Sequence, residues 1–211
     1  MSAASDALEP FDLGSQKRRA DRFGMFVFLA SEIMLFAPLF AAMSVYRVLH
    51  PRAAAEAAGH LSLWFGAANT AILLTSSLLV ALAVLAARQG GRRAVAAYLA
   101  GAAMLGVAFL VVKGFEYHAE YVEGLMPMIG PPSPLGDRPA TLFISLYFVS
   151  TALHAVHVTV GALLLAGTAA GAASRRLALP RRAMTVEIVG LYWHLVDVIW
   201  IFLFPLLYLA R

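Results

Sequence analysis

The chain has 211 residues, 61% of them apolar and 13% charged, and its mean hydropathy of +0.78 lies beyond the range of a soluble domain of this size. The net charge of +4 and pI near 9.7 do not point to nucleic acid, because the basic residues sit in short clusters between apolar runs, where orientation in a bilayer accounts for them. The absence of cysteine excludes disulfides, thiolate metal sites, cysteine-ligated iron–sulfur clusters and thioether-attached haem.

Residues 1–22 mix Asp6, Glu9 and Asp12 with Lys17, Arg18, Arg19 and Arg22 and are expected to form a cytoplasmic N-terminal segment. Residues 23–211 are expected to form one transmembrane domain. Five apolar stretches, 23–46, 63–87, 94–117, 142–171 and 184–209, each reach the length of about 20 residues that a bilayer crossing needs. They predict an all-α polytopic protein with five transmembrane helices in one bundle. The first is too long for a signal-peptide core and is expected to stay as a span. Lys and Arg outside the spans number eleven on the side of the N-terminus and of the 2–3 and 4–5 connections, against four on the other side. That bias predicts a cytoplasmic N-terminus and a C-terminus outside the cell. The longest connection, residues 118–139, holds five prolines and more acid than base, the composition of an irregular surface loop.

Ionisable residues at membrane depth are costly and face protein or trapped water, so their placement carries the most information. In the first span, Glu32 lies about 13 Å past Phe23 at 1.5 Å per residue, near the bilayer midplane. Two readings stand: a proton-relay carboxyl, or a neutral Glu hydrogen-bonded to a neighbouring helix. Pro38, further along, removes a backbone donor and is expected to kink the helix. The second span carries Asn69, Thr70, Thr75, Ser76 and Ser77, suited to bonds between helices. At the end of the third, Lys113 and Glu116 are three residues apart near the outer boundary. They form either a self-neutralising pair or a lysine that snorkels toward lipid headgroups.

The fourth span places Ser150, His154, His157 and Gly161 at steps of 4, 3 and 4 residues, on one helical face. The fifth does the same with Glu187, Gly190, His194 and Asp197, and counting from either end puts His154, His157 and His194 all near mid-membrane. His194 and Asp197 are therefore expected to face the fourth span. Histidines and carboxylates so placed suit haem ligation, a non-haem metal, proton transfer or a hydrogen-bonded network. The paired Glu-x-x-His of di-iron bundles is absent from the sequence, and the network of neutral imidazoles with carboxylate and hydroxyl partners is the preferred reading.

The stretches "FLASEIMLFAPLF", "NTAILLTSS", "KGFEY", "STALHAVHVTVG" and "EIVGLYWHLVDVIWIFLF", in that order, resemble subunit III of the haem–copper respiratory oxidases, the family of cytochrome c and quinol oxidase subunit 3. The likeness covers nearly the whole membrane region and is closest to the five-helix form. It implies a non-catalytic subunit of an oxidoreductase complex in a bacterial inner membrane, serving aerobic respiration and proton transport. It also implies that the chain binds no haem or copper, which belong to partner subunits, and that it holds structural phospholipids. Its implied partners are oxidase subunit I directly, then subunit II and the other subunits; nucleic acid is not among them. By motif, the resemblance assigns Glu32, His154, His157, Glu187, His194 and Asp197 to a proton-linked or buried polar network, Lys113 and Glu116 to a helix-end ion pair or lipid contact, and no residue to catalysis or metal binding. Competing expectations are an accessory subunit associated with nitric oxide reductase and a stand-alone membrane haem or metal protein built on the three histidines.

Overall fold

The computed structural model describes residues 13–126, 138–180 and 182–209. Within them the chain forms six helices, α1 (Leu13–Leu49), α2 (Pro51–His60), α3 (Leu63–Arg88), α4 (Arg92–Val122), α5 (Arg138–Ala173) and α6 (Ala183–Tyr208), and no strand. Five contain segments long and apolar enough to cross a membrane, Arg19–Leu49, Leu63–Arg88, Arg92–Val122, Pro139–Ala173 and Ala183–Tyr208, one for each expected span. The chain is an all-α membrane protein. Residues 1–12, most of the proline-rich connection (127–137), and Arg181 and Arg211 of the charge count lie outside the described residues.

α2 is an addition to the expected elements. Pro51 begins it, where the missing N–H costs nothing, and the alanine-rich "AAAEAA" has the highest intrinsic helix preference. Ala54, Ala57 and Ala58, spaced for one face, are buried, and the helix packs mainly against α5. α1 continues through Pro38 to Leu49 as one helix.

α3, α4, α5 and α6 make the compact part of the bundle, with α3 against α4, α4 against α5, and α6 in contact with both α3 and α5. α6 is buried over half of its apolar window and α1 over only 11% of its own, so α6 is central and α1 lies along the edge against α5 and α6. Phe23, Phe26, Met34 and Val48 of α1 point outward as lipid-facing side chains do.

Two glycines end helices at places that matter. After α3, Gly90 has φ +77° and the Gly91 N–H returns to the Ala86 carbonyl, which turns the chain straight into α4. After α4, Gly124 has φ +72°, its N–H bonds the Tyr121 carbonyl, and the Leu125 N–H bonds that of Glu120. This Schellman cap holds Glu120 in the last helical turn, and Leu125 tucks in beside it at 3% exposure.

Candidate functional site

α1 and α5 bring Glu32 and His157 together. Glu32 Oε2 lies 2.7 Å from His157 Nε2, with the two side chains 15% and 13% exposed. His157 Nδ1 is 2.8 Å from the Leu153 carbonyl one turn back. A carbonyl can only accept, so Nδ1 carries a hydrogen and donates it. The Glu32–His157 contact then holds a single proton in one of two arrangements: an imidazolium Nε2–H donating to a carboxylate, or a carboxyl O–H donating to the bare Nε2. Phe36 packs edge-on to the imidazole at 5.2 Å, and the Tyr192 hydroxyl donates to the His157 carbonyl at 3.3 Å.

A second cluster sits at the far end of α4. Lys113, Glu116 and Glu120 recur at spacings of three and four and share one face. Tyr147 of α5 and Tyr208 of α6 close over them. The Lys113 ammonium donates to Glu116 Oε2 at 2.9 Å and to the Tyr147 and Tyr208 hydroxyls at 2.8 Å each. Tyr208 passes its own hydrogen to Glu116 Oε1, and Tyr147 to Glu120 Oε1, both at 2.6 Å. Four rings, of Tyr117, Tyr147, Trp200 and Tyr208, surround the ammonium at 4.7 to 5.5 Å from their centroids. Lys113 is 3% exposed, so the snorkelling alternative does not hold. Sequence reasoning finds Lys113 and Glu116 and misses Glu120, Tyr147 and Tyr208; the i, i+3, i+7 stripe was the available signal for Glu120.

The three histidines do not form one site. His157 belongs to Glu32, while His194 Nδ1 lies 2.6 Å from Ser77 Oγ on α3, and Asp197 faces the same serine. His194 and Asp197 thus look toward the second span and not the fourth as expected, because α6 lies between α3 and α5 and turns this face to α3. His154 is fully buried between aromatic rings, stacked on Trp200 at 5.2 Å and edge-on to Phe109 at 5.6 Å, with neither ring nitrogen hydrogen-bonded. Among the described residues no three His, Asp or Glu side chains gather as metal ligands would.

Glu187 departs from the buried set as well. It receives Arg22 of α1 at 3.3 Å and Arg88 of α3 at 3.0 Å, and both arginines are more than half exposed. Exposed pairs of this kind contribute little, so Glu187→Gln is expected to cost no more than about 1 kcal/mol, shrinking further in salt. Thermal unfolding at low and high ionic strength checks this, and a large salt-independent loss would contradict it. The second-span hydroxyls divide. Ser76 donates to the Ala102 carbonyl of α4 and Thr70 receives the Trp200 indole N–H, whereas Thr75 bonds back within α3 to Ala71.

These observations define an integral membrane helix bundle in which Glu32, Lys113, Glu116, Glu120, His157, Glu187 and His194 each meet a partner on another helix, while His154 is enclosed by rings. The chain belongs to the cytochrome c oxidase subunit III family, whose model matches residues 15–210. It is 31% identical over 190 residues to cytochrome c oxidase subunit 3 of Corynebacterium diphtheriae, an alignment covering 89% of this chain and 87% of that one. It is 30% identical over 187 residues to cytochrome bo(3) ubiquinol oxidase subunit 3 of Pseudomonas aeruginosa, covering 89% and 83%. Identity is 32% over 199 residues, 90% of this chain, to heme-copper oxidase subunit I+III of Aeropyrum pernix, in which the match occupies 22%. The chain is accordingly a subunit III of the haem–copper oxidases, a membrane component of a multi-subunit complex. The relatives favour this over the nitric oxide reductase accessory and over a stand-alone haem or metal protein.

Proposed function

We propose that the chain is the non-catalytic subunit III of a haem–copper terminal oxidase in a bacterial inner membrane, seated directly on subunit I, supporting proton uptake into it and prolonging its working life. Subunit II and the remaining subunits complete the complex, and its haems and copper lie in the partners. Subunit I is the direct neighbour in this reading because a relative carries I and III in one polypeptide. Residues 1–22 are cytoplasmic, residues 23–211 form the membrane domain and the C-terminus faces outward, on the strength of the charge bias. The groove between α1, α3 and α6, with Arg22 and Arg88 around Glu187 at one end and Phe26, Val84 and Leu85 along it, leaves one net positive charge beside an apolar channel, which suits a phospholipid headgroup and chain. His154, His194 and Asp197 serve as polar packing within the bundle, Glu187 as the partner of Arg22 and Arg88, and Lys113 with Glu116 as the helix-end ion pair.

The observation that carries the proton role is the Glu32–His157 contact, a single shared proton at mid-membrane on the loosely packed edge of the bundle. Glu32→Gln keeps a hydrogen-bonding side chain of nearly the same shape but removes the acid. In the assembled oxidase it is expected to slow sustained, proton-coupled turnover or hasten inactivation, with normal incorporation of the subunit. Activity and lifetime matching wild type across pH would reject the proton role.

A further inference from the structure

We propose that the Lys113–Glu116–Glu120–Tyr147–Tyr208 cluster is a second proton-binding site, with its bound proton carried on Glu120 Oε2. The donors, acceptors and charges of the cluster require that proton whatever role Glu32 plays.

Lys113 has three N–H donors and uses all three, on Glu116, Tyr147 and Tyr208. It sits within four aromatic rings that favour a cation, so it is present as the ammonium. Each tyrosine has one hydrogen, already donated to a carboxylate oxygen. Glu116 accepts on both oxygens and is the ammonium's counter-ion. Glu120 accepts on Oε1 only; Oε2 is buried without a hydrogen-bond partner, on a residue 4% exposed.

One lysine cannot neutralise two carboxylates. An ionised Glu120 would be a buried charge without a counter-ion, among the costliest arrangements a protein interior can hold. Among the described residues, the other groups facing it supply no positive charge. They are Tyr117 of α4 and the exposed Glu123 at its C-cap, Tyr147 from α5 and Tyr208 from α6, while fully buried His154 of α5 is enclosed by the Phe109 and Trp200 rings. The charged groups of α2, Arg52, Glu56 and His60, are exposed. A proton on Oε2 removes the imbalance and leaves every hydrogen bond of the cluster in place. Glu120 lies in the last turn of α4, within one turn of exposed Tyr121 and Val122, so this proton exchanges with water on the side of the α4–α5 connection.

The test is infrared spectroscopy of the full chain, carboxyl-labelled with ¹³C at glutamate and reconstituted in lipid vesicles at neutral pH. Wild type is expected to show the carbonyl stretch of a neutral carboxylic acid, shifted in deuterated water, and Glu120→Gln to lose the intensity of one carboxyl per chain. Glu116→Gln is the sharper variant, because it frees the ammonium to pair with Glu120. The same band is expected to vanish although Glu120 is still present, and Glu32→Gln is expected to leave it. A band of undiminished intensity in Glu120→Gln, or one unchanged in Glu116→Gln, overturns the assignment. Should Glu120→Gln not fold, the comparison of wild type with Glu116→Gln decides alone.

Discussion

Lys113→Met is expected to destabilise the bundle by about 3–5 kcal/mol, the usual cost of removing one member of a buried ion pair and leaving the other unpaired. Lys113 Nζ links α4 to α5 and α6 through Tyr147 and Tyr208, so its loss strips three helices of their shared contact and leaves Glu116 without a counter-ion. Adding Glu116→Gln is expected to recover most of that loss, since replacing both partners of a buried pair is close to neutral. Recovery also depends on Glu120. If Glu120 carries a proton, the double variant retains no unpaired charge, whereas an ionised Glu120 would keep it as unstable as the single variant. Thermal unfolding in lipid nanodiscs, followed through tryptophan emission, separates the cases, and a Lys113→Met chain as stable as wild type would reject the cluster's structural weight.

The two acid sites differ in depth and exposure, and so in what each is suited to do. Glu32 is partly open and sits on the edge helix α1, whose outward face is apolar. Glu120 is enclosed by α4, α5 and α6 under the Gly124 cap, where its protonation bears mainly on the bundle's own cohesion.

How legible these features were in the sequence follows from which properties are local. Span number depends on the length of an apolar run, and all five runs correspond to helices. Position along an apolar run is also local, and His154, His157 and His194 fall well inside the apolar helices α5 and α6. The rotation of a helix about its axis, and the identity of the helix it then meets, depend on the whole packing. Hence His194 and Asp197, matched in depth to the fourth span, meet Ser77 of the second. α6 is central, so a polar residue on several of its faces finds protein, and its 3- and 4-residue spacing does not select among them. α2 escaped because its burial rests on three alanines, too small to register as an apolar run. Gly161 and Gly190 stood in the same stepped series as the polar residues, yet their neighbours are Trp193 and Val80. Small size, not chemistry, is what those positions supply.

Trp193→Ala is the second large effect, expected at about 3–5 kcal/mol, as for a fully buried large aromatic truncated in a packed interior. Trp193 is 0% exposed and fills the space where α4, α5 and α6 converge. A Cβ built on Gly161 would lie 2.7 Å from Trp193 Cε3 and 2.9 Å from Cζ3, and one on Gly106 would lie 2.7 Å from Cη2. The benzo ring is therefore bracketed by two helix backbones, and retreat from one glycine carries it toward the other. Gly161→Val in the wild-type background should consequently cost about 1–3 kcal/mol through overpacking. In the Trp193→Ala background the same valine enters emptied space, and lipid offers no hydrophobic drive that would substitute for the lost packing. The sign of its effect should reverse, so that the double variant is more stable than Trp193→Ala alone. Unfolding midpoints of the four proteins in one detergent measure the coupling. Additive losses would mean that the two residues do not share that space, and that the close approach of α4 and α5 around the indole is not what seats α6.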